Sequence, residues 1–180
     1  MKNKGLLFYE DLIKLVENRV IDAPLENVNG ASIDITLGRD FMVEVQRPKT
    51  INLAKRESIE TSLVNTPTYT LAPGEAVLAT TEQVFNLPDD IAILYVCKST
   101  MARNFLNHLN AGFGDPGWVN SKLTLELVNQ SRFHSVTLTE GMKIGQILFF
   151  RGSQVPSSST YLSRGQYNNQ LSVQGAKTLK

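Results

Sequence analysis

Short segments with strand-like patterns, separated by turn residues, most limit what this chain can fold into. Apolar residues alternate with polar ones or run together in ASIDITLG, FMVEV, YTL, EAVLATT, AILYVC, KLTLELV, SVTL and IGQILFF. Proline, glycine and aspartate mark tight turns between them, in LAPGE, LPDD, DPGW and TEGM. We expect the first segment to end at a turn formed by Gly38. Many short strands with frequent turns predict an all-β barrel or sandwich.

Two segments have helical rather than strand-like patterns. Residues 6–20 carry an apolar stripe that predicts a short N-terminal helix, and TMARNFL predicts one short internal helix. From Gly152 the chain is rich in serine, glycine and asparagine, which predicts a flexible C-terminal tail. We therefore expect a single domain over residues 1–151 and a tail over residues 152–180.

Charge and composition argue against several classes of function. The formal net charge of +1 argues against a protein that coats nucleic acid. No apolar run is long enough to predict a membrane span, and the charged N-terminus is a poor signal peptide, so we expect a cytoplasmic protein. A catalytic zinc needs several Cys or His ligands, and the chain has only Cys97, His108 and His134, at unsuitable spacings. We expect no zinc.

Two carboxylates occupy contrasting places in the sequence. Glu126 interrupts the apolar strand KLTLELV, on the face opposite the leucines. Periodicity alone favours a solvated outer face there, whereas a pocket would raise the pKa of the carboxyl group and suit it to proton transfer. Asp115 lies in GFGDPGW, where an aspartate before proline is a common turn residue. Alternatively, this turn holds Asp115 beside a ligand, and Gly112 and Gly114 allow close approach of the backbone.

A third group of polar residues lies at a predicted junction between a strand and a helix. The segment CKSTMARNF places Lys98, Ser99 and Arg103 there. Backbone N–H groups, a hydroxyl and two cations suit a phosphate, although serine and threonine also cap helices. His108 lies between leucines and fits a packed core histidine better than a catalyst.

Several of these segments together resemble one family, the dCTP deaminases of the dUTP pyrophosphatase superfamily. NGASIDITLGRDF is similar to the family's ssiDlrLG segment, KSTMAR to its R/K-S-S-L-x-R, and HLNAGFGDPGW to its HxTAGxIDPGF. LTLEL resembles the catalytic strand, EGMKIGQILF resembles PGMKIGQL, and QYNNQ resembles KYQxQ, all in the family's order. The resemblance implies a distorted β-barrel of the dUTP pyrophosphatase type (β-clip). It also implies a homotrimer with sites between subunits, closed by the C-terminal tail.

The resemblance further implies roles in the hydrolytic deamination of dCTP to dUTP and ammonia. Glu126 would activate a water and carry protons, Ser99 would help to position that water, and Asp115 would lie near the sugar. Lys98 and Arg103 would hold the triphosphate, with Mg²⁺ bridging its oxygens. Further contacts to the nucleotide are implied for Thr100, Ala111, Gly112, Trp118, Tyr161, Tyr167 and Gln170.

The pair Ala111-Gly112 bears on the product. Deaminases that stop at dUTP tend to carry AHRIDPGW, whereas members that continue to dUMP, and dUTP pyrophosphatases, carry AG. This chain has AG and also keeps Glu126, which plain dUTP pyrophosphatases lack. The resemblance therefore favours a deaminase that can continue to dUMP and pyrophosphate. The alternatives are a dUTP pyrophosphatase without deaminase activity and a non-catalytic nucleotide-binding regulator on the same fold.

Three features depart from the family pattern. Gly114 replaces an isoleucine, and Gln166 replaces a tail lysine that helps to bind phosphate, for which Arg164 is a candidate substitute. One extra residue separates Asp115 from Glu126, and we expect it to form a bulge around WVNSK.

Overall fold

One curled β-sheet forms most of the protein. The structure is a computed structural model that describes residues 4–109 and 111–177. The strands are β1 (Gly5–Leu6), β2 (Ile33–Glu44), β3 (Thr61–Asn65), β4 (Thr68–Leu71), β5 (Ala76–Phe85), β6 (Ile91–Cys97), β7 (Leu106–His108), β8 (Phe113–Gly114), β9 (Ser121–Asn129), β10 (Val136–Thr139) and β11 (Lys143–Arg151). The α-helices are α1 (Tyr9–Glu17), α2 (Ser99–Arg103) and α3 (Tyr161–Arg164). No helix within the described ranges is long and apolar enough to cross a membrane.

The order of the strands explains the curl. The main sheet runs β7-β9-β5-β2-β11-β6-β8, with β1 added to β11 and β3 added to β2, and its pairs are antiparallel. Only residues 109–112 join the two edge strands, β7 and β8, so the sheet must curl until its edges approach each other. A separate pair, β4 and β10, completes the fold. The prediction of a distorted all-β barrel is confirmed.

Alternate side chains along the strands form the core. In β9, Leu123, Leu125 and Leu127 are buried, while the residues between them are half-buried. Each fully buried leucine contributes about 1.5–3 kcal/mol relative to exposure. The helix α1 adds the buried Leu12 and Leu15, although it is shorter than the predicted helix. The register of β9 is therefore fixed by its apolar face, which also fixes the position of Glu126.

The predicted turn at Gly38 is wrong. Gly38 lies inside β2, which continues to Glu44. The pairing of β2 with β5 is irregular between Leu37 and Phe41, and a Cβ on Gly38 would lie 3.2 Å from the carbonyl oxygen of Thr80. The glycine therefore allows close approach of two strands rather than a reversal of the chain.

The bulge expected around WVNSK lies instead in the partner strand. Pairing of β5 with β9 shifts between Thr80 and Val84, which face Thr124 and Lys122. Ahead of β9, Asn120 adopts a left-handed backbone with φ of 48°, a conformation that asparagine tolerates better than most residues. β9 itself keeps a regular alternation of buried and half-buried residues.

The tail, expected to be flexible, packs along β9 in this structure. The N–H of Lys122 donates to the carbonyl of Gln170 (2.7 Å), and the N–H of Gln174 donates to the hydroxyl of Thr124 (3.3 Å). Val173 is buried. The physical reason is hydrogen bonding. Where the bulge in β5 interrupts its pairing with β9, the tail supplies hydrogen-bond partners to β9 in place of β5. The division at residue 152 stays a prediction.

Candidate active site

A cavity of ≈ 600 Å³ opens on the face of β9 that carries Glu126. This volume is typical of a site for a small molecule. Its wall also includes the turn after β8, the tail, and the loop between β2 and β3. The predicted site residues on this wall are Ala111, Asp115, Trp118, Glu126, Tyr161, Tyr167 and Gln170.

Glu126 is held in the wall by its strand. Its Cα pairs with that of Leu78 on β5, and its carbonyl accepts a hydrogen bond from the N–H of Leu109 (3.0 Å). Burial raises the pKa of Glu126 above the ordinary carboxyl value. The environment of Glu126 is therefore the pocket rather than a solvated outer face, and its carboxyl group can exchange protons closer to neutral pH.

The turn that carries Asp115 is fixed by its backbone. The N–H of Trp118 donates to the carbonyl of Asp115 (3.2 Å), and the N–H of Tyr161 donates to the carbonyl of Pro116 (2.8 Å). Gly117 has a φ of 84°, which favours glycine, and its N–H donates to Pro88. The Asp115 side chain itself is exposed at the cavity. The turn thus presents a solvated carboxylate from a rigid backbone.

The glycines before this turn pack against β6. A Cβ on Gly114 would lie 2.5 Å from Cγ1 of Ile93, and a Cβ on Gly112 would lie 2.5 Å from Cβ of Tyr95. The space left by the missing side chains is therefore filled by the protein rather than open to a ligand. Ile93 occupies the space that the family's isoleucine at position 114 would need. A nucleotide contact by Gly112 stays a prediction.

Trp118 connects the turn to the tail. Its ring stacks on Phe85 with centroids 5.3 Å apart, and its Nε1 donates to the carbonyl of Tyr167 (2.8 Å). The Nε2 of Gln170 is buried and has no hydrogen-bond partner in the part of the chain that the structure describes. A buried donor without an acceptor costs about 1–3 kcal/mol. Because Gln170 lines the cavity, a ligand with an acceptor atom would relieve this cost.

Lys98 belongs to a separate cluster around a buried carboxylate. Its Nζ lies 2.7 Å from Asp34, which also contacts Lys143 (3.1 Å) and accepts a hydrogen bond from Asn29 (3.0 Å). Burial raises the pKa of Asp34, but the bonds with Lys98 and Lys143 outweigh burial and lower it overall. Asp34 lies on the face of β2 opposite the apolar side chains of the alternating pattern, and it is nevertheless buried. Its burial is possible because two cations neutralise its charge.

The other predicted phosphate residues do not line the cavity. Ser99, Thr100 and Arg103 are exposed on α2, and Arg103 is its last residue. Neither these residues nor Lys98 is among those on the cavity wall. Within one chain, the structure does not bring them together with Glu126.

Sequence reasoning missed part of the cavity wall. Lys122 and Thr124 share the half-buried face of β9 with Glu126, and the alternation of KLTLELV already carried that signal. The loop over residues 53–59 also lines the cavity, through Leu53, Glu57, Ser58 and Ile59. No local pattern indicates this contact, because pairing of β2 with β3 brings the loop there.

His108 is a packed residue, as expected. It is buried, and its ring meets that of Tyr95 edge-on with centroids 4.5 Å apart. Burial lowers the pKa of His108, so the neutral imidazole is favoured. This histidine is not among the residues that line the cavity, and it packs against Tyr95 instead.

Comparisons with known proteins give the chain its family. The family model described as dCTP deaminase-like matches residues 7–152. The "dCTP deaminase, dUMP-forming" of Nocardia farcinica is 41% identical over 147 residues, which are 78% of this chain and 72% of the relative. The proteins of the same description from Nocardioides sp. and Pseudarthrobacter chlorophenolicus are 39% and 35% identical, over 83% and 89% of this chain and 81% and 85% of theirs.

A solved structure supports the fold. The 2′-deoxycytidine 5′-triphosphate deaminase from Agrobacterium tumefaciens superposes with a TM-score of 0.66 at 18% identity. The match covers 84% of this chain, which spans about half (49%) of that one. At this identity the likeness shows the shared fold alone. The family match over most of the chain and the three relatives carry the assignment: the chain belongs to the dCTP deaminase-like family.

Proposed function

We propose that this protein hydrolyses dCTP to dUTP and ammonia, and then hydrolyses dUTP to dUMP and pyrophosphate. The observation that carries the proposal is Glu126, a half-buried carboxylate with a raised pKa on the wall of a cavity, in a chain of the dCTP deaminase-like family. The relatives described as dUMP-forming support the second step.

Glu126 is the base of the first step. It takes a proton from water as the water oxygen bonds to C4 of cytosine, and passes this proton to N3. It then takes the second proton and delivers it to the amino group as the C4–N4 bond breaks, so that ammonia leaves and Glu126 is regenerated. Ser99 positions the water, and the backbone of Ala111 contacts the base edge. The buried Nε2 of Gln170 donates to an acceptor of the nucleotide.

Asp115 is the base of the second step. It takes a proton from a water whose oxygen bonds to the α-phosphorus, while the bond to the pyrophosphate leaving group breaks. The turn around Asp115 is held by hydrogen bonds to Pro88 and Tyr161, and Ile93 fills the space at Gly114. The departure at Gly114 is therefore compatible with a well-positioned carboxylate.

Mg²⁺ suits this site as a partner of the nucleotide. Among residues 4–109 and 111–177, no group of three or more His, Cys, Asp or Glu side chains could hold a metal. Asp115 offers one exposed carboxylate on the cavity wall, the kind of oxygen ligand that Mg²⁺ prefers. Bound through the triphosphate, the ion would neutralise charge on the phosphate oxygens. The proposal includes no zinc.

A second copy of the chain completes the site, in a homotrimer. Lys98, Ser99, Thr100 and Arg103 lie away from the cavity of their own chain, so a triphosphate can meet them only if a neighbouring copy presents them. Large apolar side chains are exposed on β6 and β8 and at both ends of β7, where a neighbour can cover them. They are Leu94 (37% exposed), Phe105 (62%), Leu109 (61%) and Phe113 (62%).

One incubation tests the reaction. The protein is mixed with dCTP and Mg²⁺, and ammonia, dUTP, dUMP and pyrophosphate are measured together. We expect ammonia, dUMP and pyrophosphate. Ammonia with dUTP as the other product would support the deamination step and contradict the hydrolysis of dUTP to dUMP. Pyrophosphate from dUTP without ammonia from dCTP would favour the dUTP pyrophosphatase, and nucleotide binding without either product would favour the regulator.

Mixing of variants tests the shared site. Chains with Glu126→Gln and chains with Arg103→Ala should each be nearly inactive, because every site in either homotrimer lacks one residue. After unfolding and refolding together, mixed trimers contain sites in which an intact Glu126 faces an intact Arg103. We expect ammonia release to return in the mixture. If refolded mixtures stay as inactive as the separate variants, the site is not shared in this way.

A further inference from the structure

Lys122 is an unassigned cation inside the cavity. It lies on the same face of β9 as Glu126, and among the described residues no other lysine or arginine lines the wall. Its Nζ makes no hydrogen bond or ion pair with any residue that the structure describes. The wall also carries four carboxylates, Glu44, Glu57, Asp115 and Glu126. A half-buried lysine without a partner among the described residues is available to a bound anion.

The position of Lys122 along the strand suits the phosphates. Lys122 precedes Glu126 by four positions on an extended strand, which places their Cα atoms about 13 Å apart. A nucleotide with its base C4 at Glu126 extends its phosphates over a distance of similar size. The start of β9, where Lys122 lies, is also close to the turn that carries Asp115. Nε1 of Trp118 and the hydroxyl of Ser121 both donate to the carbonyl of Tyr167, and the N–H of Trp118 donates to the carbonyl of Asp115.

The other cations of the chain are less suited to this role. Arg164 is exposed and does not line the cavity. Lys98 is paired with a buried carboxylate. Arg56 and Lys177 border an open hollow beside the cavity, and the Nζ of Lys177 already lies 4.9 Å above the ring of Tyr167.

We infer that Lys122 binds the phosphates of the nucleotide at the Asp115 end of the cavity, in place of the tail lysine that Gln166 replaces. The inference rests on the proposed function, because it needs a deoxynucleoside triphosphate in this cavity. During the second step, the bond between the α-phosphorus and pyrophosphate breaks and its electron pair leaves with the pyrophosphate. The ammonium of Lys122 stabilises the oxygens that gain this charge.

Binding measurements test the inference directly. In a Glu126→Gln background, which prevents turnover, dCTP, dCMP and deoxycytidine are titrated in the presence of Mg²⁺. We expect Lys122→Met to raise the Kd of dCTP by about 10- to 100-fold, because a charge-assisted contact is lost. The Kd of deoxycytidine should stay within about twofold, since the nucleoside has no phosphate for the lysine to contact.

Two matched variants make the comparison specific. Lys122→Arg keeps the charge and should hold the Kd of dCTP close to that of the parent, whereas Arg164→Met removes a cation outside the cavity and should have no effect. Lys122→Gln is a second neutral variant in case the methionine variant folds poorly. With Glu126 intact, Lys122→Met should reduce pyrophosphate release from dUTP more than ammonia release from saturating dCTP.

Several outcomes would overturn the inference. An unchanged Kd of dCTP in Lys122→Met would do so, as would an equal weakening of dCTP and deoxycytidine, which indicates a distorted cavity. A loss of dCTP binding in Arg56→Met with none in Lys122→Met would place the phosphates in the neighbouring hollow. If dCTP binds in a Lys122-dependent way but yields neither ammonia nor pyrophosphate, the proposed function fails while the phosphate contact stands.

Discussion

The strand that carries Glu126 and the turn that carries Asp115 hold their carboxylates by different means. On β9, buried leucines on the opposite face fix the register, and the side chain of Glu126 is withdrawn from water. On the turn, backbone hydrogen bonds and glycines fix the position, and the side chain of Asp115 stays exposed.

The difference teaches how one cavity can offer two kinds of carboxylate. Burial changes the acidity of a group, whereas a rigid turn changes only its position. Burial raises the pKa of Glu126, which suits a group that must both accept and donate a proton in one reaction. Asp115 is presented in water beside the same cavity, where its side-chain oxygens are accessible to a ligand.

Glu126→Gln should have the largest effect on activity of the changes considered. The amide keeps the shape of the side chain but cannot take a proton from water, so ammonia release from dCTP should fall by about 10³-fold. Binding of dCTP should survive, as measured by titration. The matched control is Glu44→Gln, another carboxylate of the wall, which should keep nearly full activity. Near-normal ammonia release from Glu126→Gln would exclude the proposed base.

Asp115→Asn should separate the two carboxylates by product. Pyrophosphate release from dUTP should fall by about 100-fold, because the base of that step is lost. Ammonia release from dCTP should change by less than about tenfold, since Glu126 is untouched. Both products are measured from the same incubation. Equal losses in both steps would mean that Asp115 serves nucleotide binding rather than one reaction.

Removal of the residues after Ser163 should lower both activities by about tenfold or more, because the tail forms part of the cavity wall and we expect it to exclude water from the site. The truncated chain also loses the bonds from Trp118 to Tyr167 and from Lys122 to Gln170. A chain that ends at Lys177 is the matched control. Activity and oligomeric state are measured side by side, and full activity in a folded truncated protein would contradict a closing role.

Gly114→Ala should disturb the turn more than the strand. Its Cβ would lie 2.5 Å from Cγ1 of Ile93, so the turn must shift, and pyrophosphate release should fall by about tenfold. The double variant Gly114→Ala with Ile93→Ala removes the overlap and should recover part of this loss. Ammonia release should respond less to either change. A double variant no better than the single one would show that Ile93 does not set the turn.

The smallest expected effect is the pH dependence of stability. Because folding raises the pKa of Glu126, this residue favours the folded state below its unfolded pKa and loses that contribution as pH rises through the folded pKa. Glu126→Gln should therefore be more heat-stable than the parent near neutral pH. The difference in Tm should vanish toward about pH 3, where the carboxyl group is protonated in both states. A constant difference across this range would contradict a raised pKa.

The strand pattern predicted the fold well because alternation directly reports one buried face. It found β9 and the face of Glu126, and it predicted an all-β barrel or sandwich, between which the family resemblance selected the barrel. It failed at Gly38, where the deciding contact comes from β5. It gave no indication that Asp34 is buried, because the two lysines that neutralise this carboxylate are distant in sequence. It also failed to place Ser99 and Arg103 relative to Glu126, since a motif names residues without giving their distances.

The burial of Val173 opposes release of the tail, and we refer to this side chain as the latch. This side chain is buried while the residues around it are largely polar, so any movement of the tail away from β9 must bring an apolar group into water. Such exposure costs about 1.5–3 kcal/mol, so this one side chain lowers the population of the open form by about tenfold or more. For a nucleotide that enters only the open form, the side chain lowers the affinity by the same factor. The same side chain must be released before a product departs, so the strength of this latch bears on how quickly the protein can turn over.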